Sequence, residues 1–138
     1  MDKMQSSSSQ NELAIRDLVE SWTDAVRHRD LDRILQNHSA DIVMFDVPPP
    51  FQSKGLEAYK KTWELFFSCA GDPVVFDITS MIITSSSDVA FVVATMHCTE
   101  PGAPGERRGL DFRLTIGLRK IDDRWTITHE HHSVPAED

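Results

Sequence analysis

Four strand-like segments follow one another through the second half of this chain, at residues 74–84, 89–99, 108–120 and 124–133, with only turn-forming stretches between them. Strands joined in this way meander into a largely antiparallel sheet, and one face of that sheet has to be covered. The cover must come from the first half, where apolar residues recur at helical spacing. Leu13, Leu18, Val19, Trp22, Ala25 and Val26 mark an amphipathic helix over residues 11–27. Asp30 is placed to cap a second, shorter helix that contains Leu31, Ile34 and Leu35 and ends near Asn37 and His38. After Gly55, the stripe Leu56, Tyr59, Trp63, Phe66 and Phe67 predicts a third helix, ended by Gly71-Asp72-Pro73. A brief strand at residues 42–47 precedes it and stops at Pro48-Pro49-Pro50, because proline cannot donate to a ladder. The pattern is α+β, with three helices from the N-terminal half packed on one face of a curved, mainly antiparallel sheet.

A chain of 138 residues supports one core and is too short for two ordinary domains. Residues 1–10 hold four consecutive serines without apolar periodicity and read as a disordered tail, which leaves 11–138 as a single domain. No segment has the length of a membrane span, and no basic start with an apolar run resembles a signal peptide, so no membrane partner is expected and a cytoplasmic address is. A net charge of -8 with scattered cations would repel a phosphate backbone, which argues against a nucleic-acid partner. Cys69 and Cys98 lie in apolar contexts without CxxC spacing, the pattern of buried thiols rather than of a disulfide or zinc site.

The segment Arg124–Ser133 carries the titratable groups. Read with a period of two, it places Trp125, Ile127, His129 and His131 on one face and Thr126, Thr128, Glu130 and His132 on the other. A turn at residues 121–124 sets Leu118 opposite Ile127 and Ile116 opposite His129, so that Phe112, Leu114, Ile116 and Leu118 share the inward face with both histidines. A slip of one residue would exchange the faces. In the unslipped register His129 and His131 look into the core, as acid, base or orienting donors for an oxygen-rich ligand or as structural groups bonded to neighbours. The opposite face, with Arg113, Thr115, Glu130 and His132, is polar and outward.

An H-x-H pair on a strand can supply two metal ligands, but only His97 and Asp46 could complete the set, so no metal is expected. The His129-Glu130-His131-His132 run is not the HExxH motif, because the histidine spacing is wrong and the segment is a strand. Asp46, at the end of an apolar strand, is a proton acceptor if burial raises its pKa, or else a turn aspartate bonding the loop before Pro48. Trp22, Tyr59, Trp63, Phe66, Phe112, Ile116 and Trp125 line a cavity or fill the core. Residues 100–107, rich in proline and glycine, form a loop that could act as a lid.

The order of elements resembles the nuclear transport factor 2-like superfamily, which includes ketosteroid isomerases, SnoaL-like polyketide cyclases and the kinase II association domain. Two helices leading into Asp41-Ile42-Val43-Met44-Phe45-Asp46, a loop to Gly55 and a third helix are similar to the first half of the isomerases. The last strand, Trp125-Thr126-Ile127-Thr128-His129-Glu130-His131-His132-Ser133, resembles the W-x-I-x-H-x-H-x-S ending of SnoaL-like and association-domain proteins. The resemblance covers nearly the whole chain after the serines and implies a cone-shaped domain enclosing an apolar cavity, with a homodimer formed through the outer sheet face.

It also implies that Asp46 matches the isomerases' general base. The position of their oxyanion-binding tyrosine matches Trp22, and that of their protonated aspartate matches Ile116, which donates nothing. Two departures in three argue against a true steroid isomerase. The function expected is a pocket for a small apolar or carbonyl-containing molecule, with no cofactor. Isomerase- or cyclase-like chemistry would run through Asp46, His129 and His131. The alternative is a non-catalytic ligand-binding or oligomerisation module like the association domain.

Overall fold

The computed structural model describes residues 2–101 and 107–136, with the side chains of 2–8, 100, 101 and 107 left undescribed. Helix α1 (Asp2–Arg27) is longer than its apolar stripe, because it continues back through the serine run instead of starting at residue 11. No glycine or proline interrupts that stretch, so nothing in it breaks a helix already nucleated downstream. Helix α2 (Leu31–Leu35) is capped by Asp30, whose carboxylate accepts from the Arg33 amide. Strand β1 (His38–Phe45) and the two-residue β2 (Ser53–Lys54) lead into α3 (Leu56–Cys69). The turn into α3 passes through Gly55 at φ 91°, a left-handed conformation that glycine adopts without strain, and its amide donates to the Ile42 carbonyl.

Strands β3 (Phe76–Ser85), β4 (Val89–Pro101), β5 (Arg107–Ile121) and β6 (Arg124–Ser133) form the expected meander. The six strands make one sheet in the order β2-β1-β6-β5-β4-β3, antiparallel throughout except where β1 runs parallel to β6. The β4–β5 hairpin is longer than the sequence pattern suggested, since Glu100 pairs with Arg108 and Pro101 with Arg107. The two ends of the loop expected as a lid, residues 100, 101 and 107, therefore belong to the ladder, and residues 102–106 lie outside the described residues. The β5–β6 hairpin turns through Asp122 and Asp123, both at positive φ, as a two-residue connection between right-twisted strands requires.

Helix α1 lies against β3, and α3 lies against β1 and β2. Between helices and sheet, Val19, Trp22, Ile42, Tyr59, Trp63, Phe76, Val92, Met96, Leu114, Ile116 and Ile127 are buried in one continuous core. The fold class is as the sequence implied, a curved sheet with three helices on one face. Among the described residues no helix is long and apolar enough to cross a membrane.

The register of β6 departs from simple alternation. Leu118 pairs with Ile127 as expected, but Gly117 pairs with His129, so Thr128 is an extra residue with no partner of its own. A bulge of this kind reverses which side chains face the core from that point on. Ile116 consequently faces Glu130 rather than His129. Glu130 and His132 are buried beneath the helices, whereas His129 is half-buried and His131 exposed on the other face.

Candidate functional site: a cavity ending at His132

A cavity of about 430 Å³ opens between α3 and the inner face of the sheet. Its walls are apolar and largely aromatic. Trp63 and Phe66 come from α3, Phe76 from β3, Leu110 and Phe112 from β5, and Met44 from β1. Asp46, Val47 and Pro48, just beyond β1, form part of the lining, as do the thiol-bearing Cys69 and Cys98. The other polar groups on the wall are Thr62, Thr99 and His132. The end of α3 is held by Arg29, whose guanidinium donates to the carbonyls of Phe67, Ala70 and Gly71 at 3.1, 3.4 and 2.8 Å. These are carbonyls that a helix C-terminus leaves without internal partners, and a cation there also favours the helix dipole.

The parallel pairing of β1 and β6 sets Met44 beside Glu130 and Phe45 beside His131. One step further along both chains, Asp46 and His132 follow on the inward face, and both reach the cavity. The Asp46 carboxylate is half-buried and accepts from the Val47 amide at 2.8 Å, the bond expected of a turn aspartate. His132 is buried to 6% exposure and stacks on Phe112, with ring centroids 5.6 Å apart and planes 9° apart. Its Nε2 is 3.0 Å from Glu130 Oε1.

Behind His132 lies a sealed polar network. Glu130 Oε2 accepts from the Tyr59 hydroxyl at 2.6 Å and from His38 Nε2 at 2.8 Å. The Trp22 indole N–H donates to the Tyr59 oxygen at 3.1 Å, and His38 Nδ1 donates to the Gln36 carbonyl at 2.8 Å. Burial alone would raise the Glu130 pKa, but the hydrogen bonds and charges of His132 and His38 outweigh it and hold the group down to about 2. Burial first, and then the Glu130 charge and hydrogen bond, push the Tyr59 phenol well above its ordinary value. The network therefore keeps one carboxylate ionised and one phenol neutral.

The residues singled out in the sequence divide into three groups. Asp46, Trp63, Phe66 and Phe112 line the cavity. Trp22, Tyr59, Ile116 and Trp125 are buried but belong to the core or the network rather than to the cavity wall. His129 and His131 lie on the opposite face, contrary to the expected register, because the Thr128 bulge rotates them outward. There they flank Phe45 edge to face at 4.9 and 5.3 Å, and His129 Nδ1 donates to the Val43 carbonyl at 2.7 Å. His38, Glu130 and His132 were missed as inward groups. An acidic residue and a histidine placed at alternate positions of an otherwise buried strand were the available signal, but only the bulge decides their side.

Of the two cysteines, Cys98 is buried as expected and Cys69 is exposed. Among the described residues no cluster of three or more histidine, cysteine or acidic side chains could hold a metal.

Comparison with known proteins agrees with this geometry. A search of curated proteins finds no match. The chain is 32% identical to an NTF2-like protein of unknown function from Pseudomonas putida KT2440, with a TM-score of 0.85 over 94% of this chain and 90% of the other. It shares its fold with a ketosteroid isomerase-like protein from Erwinia carotovora atroseptica SCRI1043, at 19% identity and a TM-score of 0.75 over 91% and 96% of the two chains. A nuclear transport factor 2-like superfamily protein from Salmonella enterica serovar Typhimurium LT2 is similar at 15% identity and a TM-score of 0.78, over 94% of each chain. The SnoaL-like domain model matches residues 15–137, and the chain belongs to that family, within the nuclear transport factor 2-like superfamily.

Proposed function

We propose that the protein binds a small apolar or carbonyl-containing molecule in the cavity and moves a proton on it, in the manner of an isomerase or cyclase. The observation that carries this reading is that Asp46 and His132 both line a largely apolar, aromatic cavity. An apolar pocket with few convergent polar groups is the usual form of a small-molecule site. In such a site a carboxylate takes a proton from carbon next to a carbonyl, and an imidazole orients the oxygen. His132 thus takes the place in the scheme first given to His129 and His131. The positions matching the isomerases' oxyanion donors are Trp22, which donates to Tyr59, and Ile116, and neither lines the cavity. That favours a substrate other than the steroids, and it is also the specific support for a second reading, a binding or oligomerisation module without turnover.

The test is turnover of a panel of enolisable ketones by wild type and by Asp46→Asn. The expected outcome is that at least one ketone turns over and that the variant loses on the order of a hundredfold or more in kcat, the usual contribution of a positioned base. If no ketone reacts and Asp46→Asn binds ligands as wild type does, the non-catalytic reading stands instead.

The same reading includes a homodimer through the outer face of the sheet. Ile82 on β3 and Phe91 and Val93 on β4 are exposed there, with Ile82 directly paired to Val93. An exposed apolar group of this kind, set among the polar residues of a long sheet, suits the self-complementary contact of a two-fold pair.

A further inference from the structure

The Thr128 bulge that turns Glu130 and His132 inward also sets His129 and His131 side by side on the outer face of the sheet. Their ring centroids are 6.4 Å apart. Two imidazoles that share one ion stand about 5–6 Å apart between centroids, because each metal–nitrogen bond is about 2.1 Å long. A small turn of His131 closes the difference. That residue is exposed, and among the described residues its ring makes no hydrogen bond, only ring contacts with Phe45 and His129.

His129 is already held in place. Its Nδ1 donates to the Val43 carbonyl at 2.7 Å, and since a carbonyl only accepts, the hydrogen is on Nδ1 and Nε2 is the nitrogen left to bind. A ring N–H held by a backbone carbonyl is the usual outer support of a metal-ligating histidine, because it fixes the ring and raises the basicity of the other nitrogen. Phe45 flanks both rings edge to face at 4.9 and 5.3 Å and limits their swing. On the other side, the residues of β5 next to the pair are small: Gly117 opposite His129 and Thr115 opposite His131. Facing the core, two histidines would need further protein ligands to complete a coordination sphere. Facing solvent, they need only water.

We infer that His129 and His131 form a binding site for a late first-row divalent ion, of the nickel, copper and zinc class, with two imidazoles as the protein ligands and water in the remaining positions. Imidazole selects this class over calcium and magnesium, which take oxygen ligands. The site lies on the opposite face of the sheet from the cavity and does not depend on what the cavity binds. Two protein ligands supply about half the binding free energy of a four-ligand structural site, which corresponds to a dissociation constant on the order of 10 μM.

The test is calorimetric titration of the full chain with nickel, slightly above neutral pH. Wild type is compared with His131→Gln and with His97→Gln, a control on the same face whose imidazole is bonded instead to Asp111. Wild type should take up one ion per chain, and His97→Gln should match it. His131→Gln, with its circular dichroism unchanged, should bind about tenfold more weakly or worse, having lost one of two ligands. The same titration is run on Ile82→Lys, which places a charge in the proposed two-fold contact three strands away from the pair. If this variant alone binds, and loses nickel when His131→Gln is added, the site stands and lies beneath the contact between two copies. Uptake by neither wild type nor Ile82→Lys, or equal binding by His131→Gln and its parent, overturns the assignment.

Discussion

A carboxylate with no exposed surface is tolerated in a protein core only when donors converge on it, and Glu130 has three, from Tyr59, His38 and His132. Removing it would leave three buried polar groups without the acceptor they converge on. Glu130→Ala should therefore cost about 3–5 kcal/mol of stability, read from urea unfolding curves. The same group sets an acid limit. Its pKa falls from an ordinary 4.5 to about 2 on folding, so its contribution is complete above 4.5 and is lost as pH falls toward 2. Asp24, held low by its hydrogen bond with Arg33, titrates in the same sense at the surface. Comparison with Glu130→Gln separates the two. Wild-type stability should fall steeply between pH 4.5 and 2, and the variant's should be flatter over that window. At this scale the sequence showed which residue types were present and which were aromatic. It did not show that Glu130, ordinarily a surface residue, is sealed, because that depends on His38 and Tyr59, which lie far away in the chain and meet it only on folding.

At the scale of the element, the strand β6 is decided by one residue. Up to Ile127 the alternation predicts the correct face, and beyond Thr128 it predicts the wrong one. Trp125 and Ile127 are buried as expected, whereas the side chains that face the core beyond the bulge are Glu130 and His132 instead of His129 and His131, and of these His132 reaches the cavity. Nothing in the local sequence marks Thr128 as the extra residue. It is a β-branched residue in a strand, with a hydroxyl that donates to the Gly117 carbonyl at 3.3 Å. The opposing glycine leaves room at the bulge, since a methyl added at Gly117 would lie 3.4 Å from His129 Cβ. Deleting Thr128 should restore plain alternation and drive Glu130 and His132 out of the core. We expect the variant to lose its fixed tertiary packing and cooperative unfolding, as seen by near-UV circular dichroism along a urea titration. A deletion variant that unfolds cooperatively at the wild-type urea midpoint would show that the bulge is dispensable.

For the whole molecule, the prediction concerns association. The outer sheet face presents Ile82, Phe91 and Val93 beside Arg113, Thr115 and the outward His129 and His131. Were this face the two-fold contact, Val93→Glu would place like charges near each other across the axis. The wild type should then run as a dimer in light scattering after gel filtration, and the variant as a monomer with its circular dichroism unchanged. A monomeric wild type would exclude the proposed dimer.

The amino-acid sequence by itself determined the layered architecture. Helical and strand periodicities, the Asp30 cap, the glycine before α3 and the hairpin turns are local features, and each acts through the backbone of the few residues around it. The aromatic stripe on α3 and Asp46 at the end of β1 were legible too, but as cavity wall or core and as base or turn residue alike, and it was the resemblance to a family that implied a cavity. Only the tertiary structure decided which histidine joins that cavity. The choice rests on one unpaired residue in β6 and on a buried ion pair between strands whose members are 92 residues apart. A period-two pattern cannot register a bulge whose justification is the packing of Glu130 against His38 and Tyr59.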